Sequence, residues 1–162
     1  VHKEVPAKGQ IAIFNRSHYE DIIAVRVKKI FPDPVWKRRY KHVLDFEAML
    51  AEEGTVIIKL FLNISKAEQK KRLESRLQDP DKLWKFCMDD LDDRNRWDEF
   101  QTAYQDLIEK TSTPEAPWYI IPADRKWYRN LVVARLMVEK LRHLQLSLPT
   151  PNFDPASIII PD

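Results

Sequence analysis

Three short apolar runs, at residues 11–14, 55–62 and 118–121, set the limits on how this chain can fold. Each is too short for a core helix and reads as a buried strand, and long helix-period patterns separate them. The order is therefore β-α-α-β-α-α-β-α. Strands that alternate with helices cannot close hairpins, so the expected class is α/β with a mainly parallel sheet flanked by helices. The run at 55–62 is almost continuously apolar, which suits a strand covered on both faces.

The intervening segments carry helix signals. A short helix is expected over 19–29, broken by Phe31-Pro32-Asp33-Pro34, because proline removes a donor and restricts its predecessor. Trp36, Tyr40, Val43, Leu44 and Leu50 then mark one face of a helix over 36–52 that Gly54 ends. Ser65-Lys66-Ala67-Glu68 is a capping box opening a helix to about residue 77. A long helix is expected over 90–109. Asp124 is placed to cap a last helix with the stripe Trp127, Leu131, Ala134, Val138 and Leu141. From residue 147 to 162, four prolines and Ile158-Ile159-Ile160 read as an extended tail that docks on a surface.

With 162 residues, 44% hydrophobic and 32% charged, the chain can build one domain with a proper core. Cys87 is the only cysteine, so no internal disulfide is possible and a reducing, cytoplasmic setting is the default. A formal charge of +2 makes no case for nucleic acid, and no run approaches the ~18 apolar residues of a membrane helix. The two glycines, Gly9 and Gly54, leave no G-x-x-x-x-G-K-[ST] or G-x-G-x-x-G loop to cradle phosphates.

Chemistry concentrates in three places. The run at 11–14 delivers Asn15, Arg16, Ser17, His18, Tyr19, Glu20 and Asp21 to a strand end, where open α/β sheets bind ligands. Arginine beside an amide and two carboxylates suits an anion with a bound cation. The same residues also suit a plain helix start, with Ser17 as cap and Glu20 closing a box. The second place is basic: Lys66, Lys70, Lys71, Arg72, Arg76, Lys82 and Lys85 face only Glu68, Glu74, Asp79 and Asp81. Arg72 and Arg76 share a helix face. This is either a solvated surface or a lid whose hinge-like Asp79–Lys85 connection swings cations over phosphates. The third is the loop and strand around 111–129, where Trp127 and Tyr128 read as core residues or as base-stacking ones. Asp89, Asp90, Asp92 and Asp93 open a helix, where negative charge favours the dipole.

The segments IFNRSHYED, EQKKRLESRLQDPDKLWK, RNRWDEFQTAY and KTSTPEAPWYIIPADRKWYRN closely resemble the family-2 polyphosphate kinases, phosphotransferases of the P-loop kinase fold. The resemblance covers residues 9–144. It implies Mg²⁺-dependent phosphoryl transfer between polyphosphate and a nucleoside mono- or diphosphate such as AMP or ADP. It also implies a cytoplasmic enzyme, a homo-oligomer, with neither membrane nor nucleic acid as partner. On this likeness Asn15, Arg16 and Arg76 are the expected catalytic residues. Tyr19, Lys71, Arg72, Lys82 and Lys85 are the expected substrate-binding ones, and Glu20 and Asp21 the metal carboxylates. Asn15 stands where the general P-loop pattern puts an acid.

The expected organisation is a partial P-loop kinase-like domain over 1–146, with a lid over about 66–96, and the tail. In the P-loop kinase order the strand bearing the phosphate loop lies centrally, between the strand at 11–14 and the one at 55–62. That strand is not in this sequence, so these residues are expected to belong to a longer polypeptide and to be inactive alone. An ATP-dependent nucleotide kinase of the same fold, or a non-catalytic polyanion-binding fragment, are the alternatives.

Overall fold

A computed structural model describes residues 1–161. Six helices and two strands alternate along it. The strands β1 (Lys59–Asn63) and β2 (Trp118–Pro122) pair in parallel, with Lys59 opposite Trp118 and Asn63 opposite Pro122. Two parallel strands require a crossover, and here it is helical, as the alternation predicts.

The helices are α1 (Glu20–Val27), α2 (Asp33–Glu52), α3 (Lys66–Gln78), α4 (Asp89–Asn95), α5 (Trp97–Thr111) and α6 (Lys126–His143). The start of α2 absorbs Pro34 in its first turn, where a missing N–H costs nothing. It ends at Gly54, whose φ of +87° suits the left-handed residue that closes a helix. Ser65 caps α3 by accepting from the Glu68 N–H at 3.1 Å. The long helix expected over 90–109 is instead two, broken at Arg96 (φ −97°, ψ 25°). The Arg96 guanidinium donates to the last carbonyl of α1, Val27, at 2.9 Å, fixing the break against the core.

The core lies where α1, α2 and α5 meet. Ile22, Ile23, Val25 and Val27 of α1 pack with Trp36 and Val43 of α2 and with Ala103 and Leu107 of α5. Burying each larger side chain contributes about 1.5–3 kcal/mol.

Three expectations are corrected. Residues 11–14 form no strand: Ile11 and Ile13 are 68% and 82% exposed. A strand needs a neighbour for its backbone groups, and among the described residues β1 pairs with β2 alone. Nor is β1 covered on both faces: Leu62 and Asn63 at its carboxyl end stay exposed. The tail, described as far as Pro161, docks on nothing: Leu148, Ile159 and Ile160 lie in the open, each at least 87% exposed. Its prolines deny it the regular backbone donors of an added strand.

Candidate functional site

The carboxyl ends of β1 and β2 meet the first turn of α3. Ala123 N–H donates to the Asn63 carbonyl at 2.8 Å, extending the ladder one step past the strands. Ser65 N–H donates to the Asp124 carboxylate at 2.7 Å, and that bond holds the Asp124 pKa below its ordinary value. Asp124 therefore joins the two strand ends, whereas the sequence pattern placed it as the cap of α6. Arg72 reaches the same junction from α3: Nη2 donates to the Ala123 carbonyl at 2.7 Å and Nε to Glu68 at 2.8 Å.

A cleft of about 400 Å³ opens between this junction, α3 and α5. Arg72 and Arg76 line it from α3, while Trp97, Phe100 and Tyr104 line it from α5. The i, i+4 spacing thus puts both arginines on the cleft face. Arg76 Nη1 lies 3.2 Å from Asp90 Oδ2, with its side chain 37% exposed. A half-exposed ion pair is weakly held, so the guanidinium can turn to an anionic ligand. Asp90 and Asp93 also line the cleft. The acidic run does open α4, as the dipole argument expects, but Asp90 also bridges to Arg76 and Asp93 pairs with Lys28 at 2.9 Å.

The other basic candidates lie outside the cleft lining. Lys82 pairs with Asp79, and Lys85 sits 4.9 Å from the Trp84 ring centroid, both in the 3-10 turn Pro80–Lys85. Lys71 is exposed on α3. The connection over 66–96 folds back on itself, since Arg94 of α4 donates to the Lys66 carbonyl at 2.7 Å and to Gln69 at 2.9 Å.

Asn15 and Arg16 precede α1 in exposed irregular chain. Arg16 has φ +78°, a left-handed conformation that costs a non-glycine residue roughly 1–2 kcal/mol. Its guanidinium lies 3.4 Å from Glu20. Ser17 does not close a capping box: its hydroxyl accepts from Tyr19 N–H at 3.1 Å, and Glu20 turns to Arg16. Burial raises the Tyr104 pKa, and the Glu20 and Asp93 carboxylates raise it further while Arg16 opposes them. The Arg16–Glu20 turn is thus within electrostatic reach of the cleft wall.

Among the described residues no group of three or more His, Cys, Asp or Glu side chains could hold a metal ion. Glu20 and Asp21 do offer adjacent carboxylates on the first turn of α1. Successive helix positions do not face each other, so one of these carboxylates at a time could serve Mg²⁺, which completes its shell with substrate phosphates and water.

Tyr19 is placed inside the protein, 4% exposed. Its hydroxyl donates to Glu47 Oε1 at 2.7 Å and accepts from Lys59 Nζ at 3.0 Å. Lys59 Nζ also donates to Glu47 Oε2 at 2.7 Å and to the Thr111 carbonyl at 2.6 Å. All three ammonium donors are used. Burial lowers the Lys59 pKa, and the Glu47 carboxylate opposes that shift. Burial also pushes the Tyr19 hydroxyl well above its ordinary range, helped by Glu47.

Sequence reasoning missed this cluster, although two signals were there. Lys59 interrupts an otherwise apolar strand, and Glu47 falls four residues after Val43 on the buried face of α2. Charged residues in such places are almost never buried unless paired. Trp97, Phe100 and Tyr104, the aromatic wall of the cleft, step by three and four, a spacing that in sequence marks only the apolar stripe of a helix.

Residues 1–148 match the family described as Polyphosphate kinase 2 (PPK2). The chain belongs to the polyphosphate kinase 2 family. It is 53% identical over 160 residues to an AMP/ADP-polyphosphate phosphotransferase of Meiothermus ruber, covering 99% of this chain and 60% of that protein. It is 36% identical over 159 residues to an ADP-polyphosphate phosphotransferase of Rhodopseudomonas palustris, covering 91% and 55%. The crystal structure of polyphosphate kinase 2 from Arthrobacter aurescens superposes with a TM-score of 0.92 at 47% identity, over 96% of this chain and 55% of that one. The chain therefore spans somewhat more than half the length of these polyphosphate kinase 2 relatives.

Proposed function

We propose that the protein carrying this chain transfers a phosphoryl group between inorganic polyphosphate and a nucleoside mono- or diphosphate. The observation that carries this reading is the 53% identity, along 99% of the chain, to a protein named as an AMP/ADP-polyphosphate phosphotransferase. The cleft supports it, because two arginines converge beside an aromatic wall at the carboxyl ends of parallel strands.

Phosphoryl transfer asks little covalent chemistry of the protein, so positioning and charge neutralisation dominate. Arg76 and Arg16 supply guanidinium groups to the phosphates, with Asn15 beside them. Arg72 stabilises the strand-end junction and presents its remaining donors to the cleft. Lys71, Lys82 and Lys85 hold the more distant part of the polyanion when residues 66–96 close as a lid. Mg²⁺, held by Glu20 or Asp21, would neutralise phosphate charge. On this reading the 162 residues by themselves are inactive. A soluble, cytoplasmic homo-oligomer is the setting that goes with this reading.

The test is a donor assay on the intact protein, with AMP or ADP as acceptor and long-chain polyphosphate or ATP as donor. Product from polyphosphate, and little from ATP, is the expected result. Transfer from ATP alone makes the protein a conventional nucleotide kinase. Polyphosphate binding without turnover makes it a polyanion-binding protein.

A further inference from the structure

The buried Tyr19–Glu47–Lys59 cluster serves no ligand directly, yet it sits three residues from Arg16. A lone cation in a core is expensive, and a hydrophobic substitute is often no less stable. Four separate parts of the chain meet here: the turn before α1, the face of α2, the first residue of β1 and the last carbonyl of α5. Tyr19 is the member that faces the Arg16 turn. Its N–H donates to Ser17, and its carbonyl accepts from Ile22 and Ile23 to start α1. Its ring stacks on His18 at 4.7 Å and meets Trp118 edge-on at 5.0 Å. Arg16 itself stays left-handed while its side chain is 80% exposed. Strained residues persist only where the surroundings over-determine them, and the exposed Arg16 side chain has only its 3.4 Å pair with Glu20. The first buried residue that follows it along the chain is Tyr19.

We propose that Glu47 and Lys59 are positioning residues, which act through the Tyr19 hydroxyl to hold Arg16 where it meets phosphate. This rests on the phosphate role proposed above for Arg16. Glu47 and Lys59 touch no substrate. They hold the hydroxyl of the residue at which the Arg16 turn enters α1. Small displacements of a charge donor lose much of its effect on a transferring phosphoryl group.

The test is made in the intact protein. Tyr19→Phe removes a single oxygen and keeps the ring packing. The double variant Glu47→Leu with Lys59→Met removes both charges together. For each, melting temperature, kcat, KM for nucleotide and calorimetric affinity for inorganic tripolyphosphate are measured well below the melting temperature. The expected result is a folded Tyr19→Phe protein with kcat lowered about tenfold, nucleotide KM unchanged and tripolyphosphate bound more weakly. Combined with Arg16→Ala, it should add nothing to the loss caused by Arg16→Ala alone, since both act through one group.

Wild-type kcat in Tyr19→Phe, or in a folded double variant, overturns the proposal. So does full multiplicativity with Arg16→Ala. If the unmodified protein shows no turnover, the functional reading has failed, but tripolyphosphate affinity still decides the positioning role. If that ligand does not bind at all, both readings fall.

Discussion

Lys59 and Arg76 are both cations paired to a carboxylate, and they are held in opposite ways. Lys59 is 6% exposed and spends all three donors on Tyr19, Glu47 and the Thr111 carbonyl. Arg76 has one ion pair at 3.2 Å and a distant carbonyl contact at 3.4 Å, and its side chain lines an open cleft. The first arrangement leaves nothing for a ligand and registers the fold. The second leaves donors free and costs little to rearrange. A saturated buried cation is architecture, and an under-used cation in a cleft wall keeps donors that a ligand could take.

The sharpest break in that contrast is Lys59→Met on its own, which strands the Glu47 carboxylate in the core. A loss of about 3–5 kcal/mol is expected, read as a collapse of the urea midpoint. Adding Glu47→Leu should recover most of it, and failure to recover would show that the pair contributes more than charge balance. Next in size, Arg76→Ala or Arg16→Ala should lower turnover of the intact protein at least about a hundredfold, with the melting temperature little changed. Steady-state rates at wild-type level in both would remove the roles proposed for these two arginines.

A smaller effect is expected at His18. Its Nε2 is buried without a partner, and burial lowers its pKa below 6.5 despite Glu47 at 3.8 Å. The unfolded chain therefore binds this proton more readily than the folded one. The stability is complete above pH 6.5 and falls as pH drops toward the depressed folded value. His18→Asn should flatten the melting-temperature profile between about pH 7 and pH 5.5, and an unchanged slope would place the pH sensitivity elsewhere. Smallest of all, Lys82→Ala should move the melting temperature by no more than about a degree or two, because an exposed pair with Asp79 contributes little. A larger shift would mean that the 3-10 turn is as fixed as the Lys59 cluster.

Much of the site was legible because its spacing is local. Arg72 and Arg76 had to share a face of α3 once Ser65 capped that helix. Asp124 was read as a cap because it stands just before α6, yet its partner, Ser65, is fifty-nine residues away. The break at Arg96 was hidden for the same reason, since the carbonyl it serves belongs to Val27.

Short-range pattern was enough for the two strands at 59–63 and 118–122 with helices between them, the cap of α3, the end of α2 at Gly54 and the family. Which apolar run becomes a strand depends on long-range pairing. Residues 59–63 have a parallel neighbour and residues 11–14 have none, and backbone pairing is a property of two segments. The tertiary structure also decided that Tyr19 faces inward to Glu47 and Lys59. A buried charge is stable only where partners from distant parts of the chain converge, and no local spacing records that convergence.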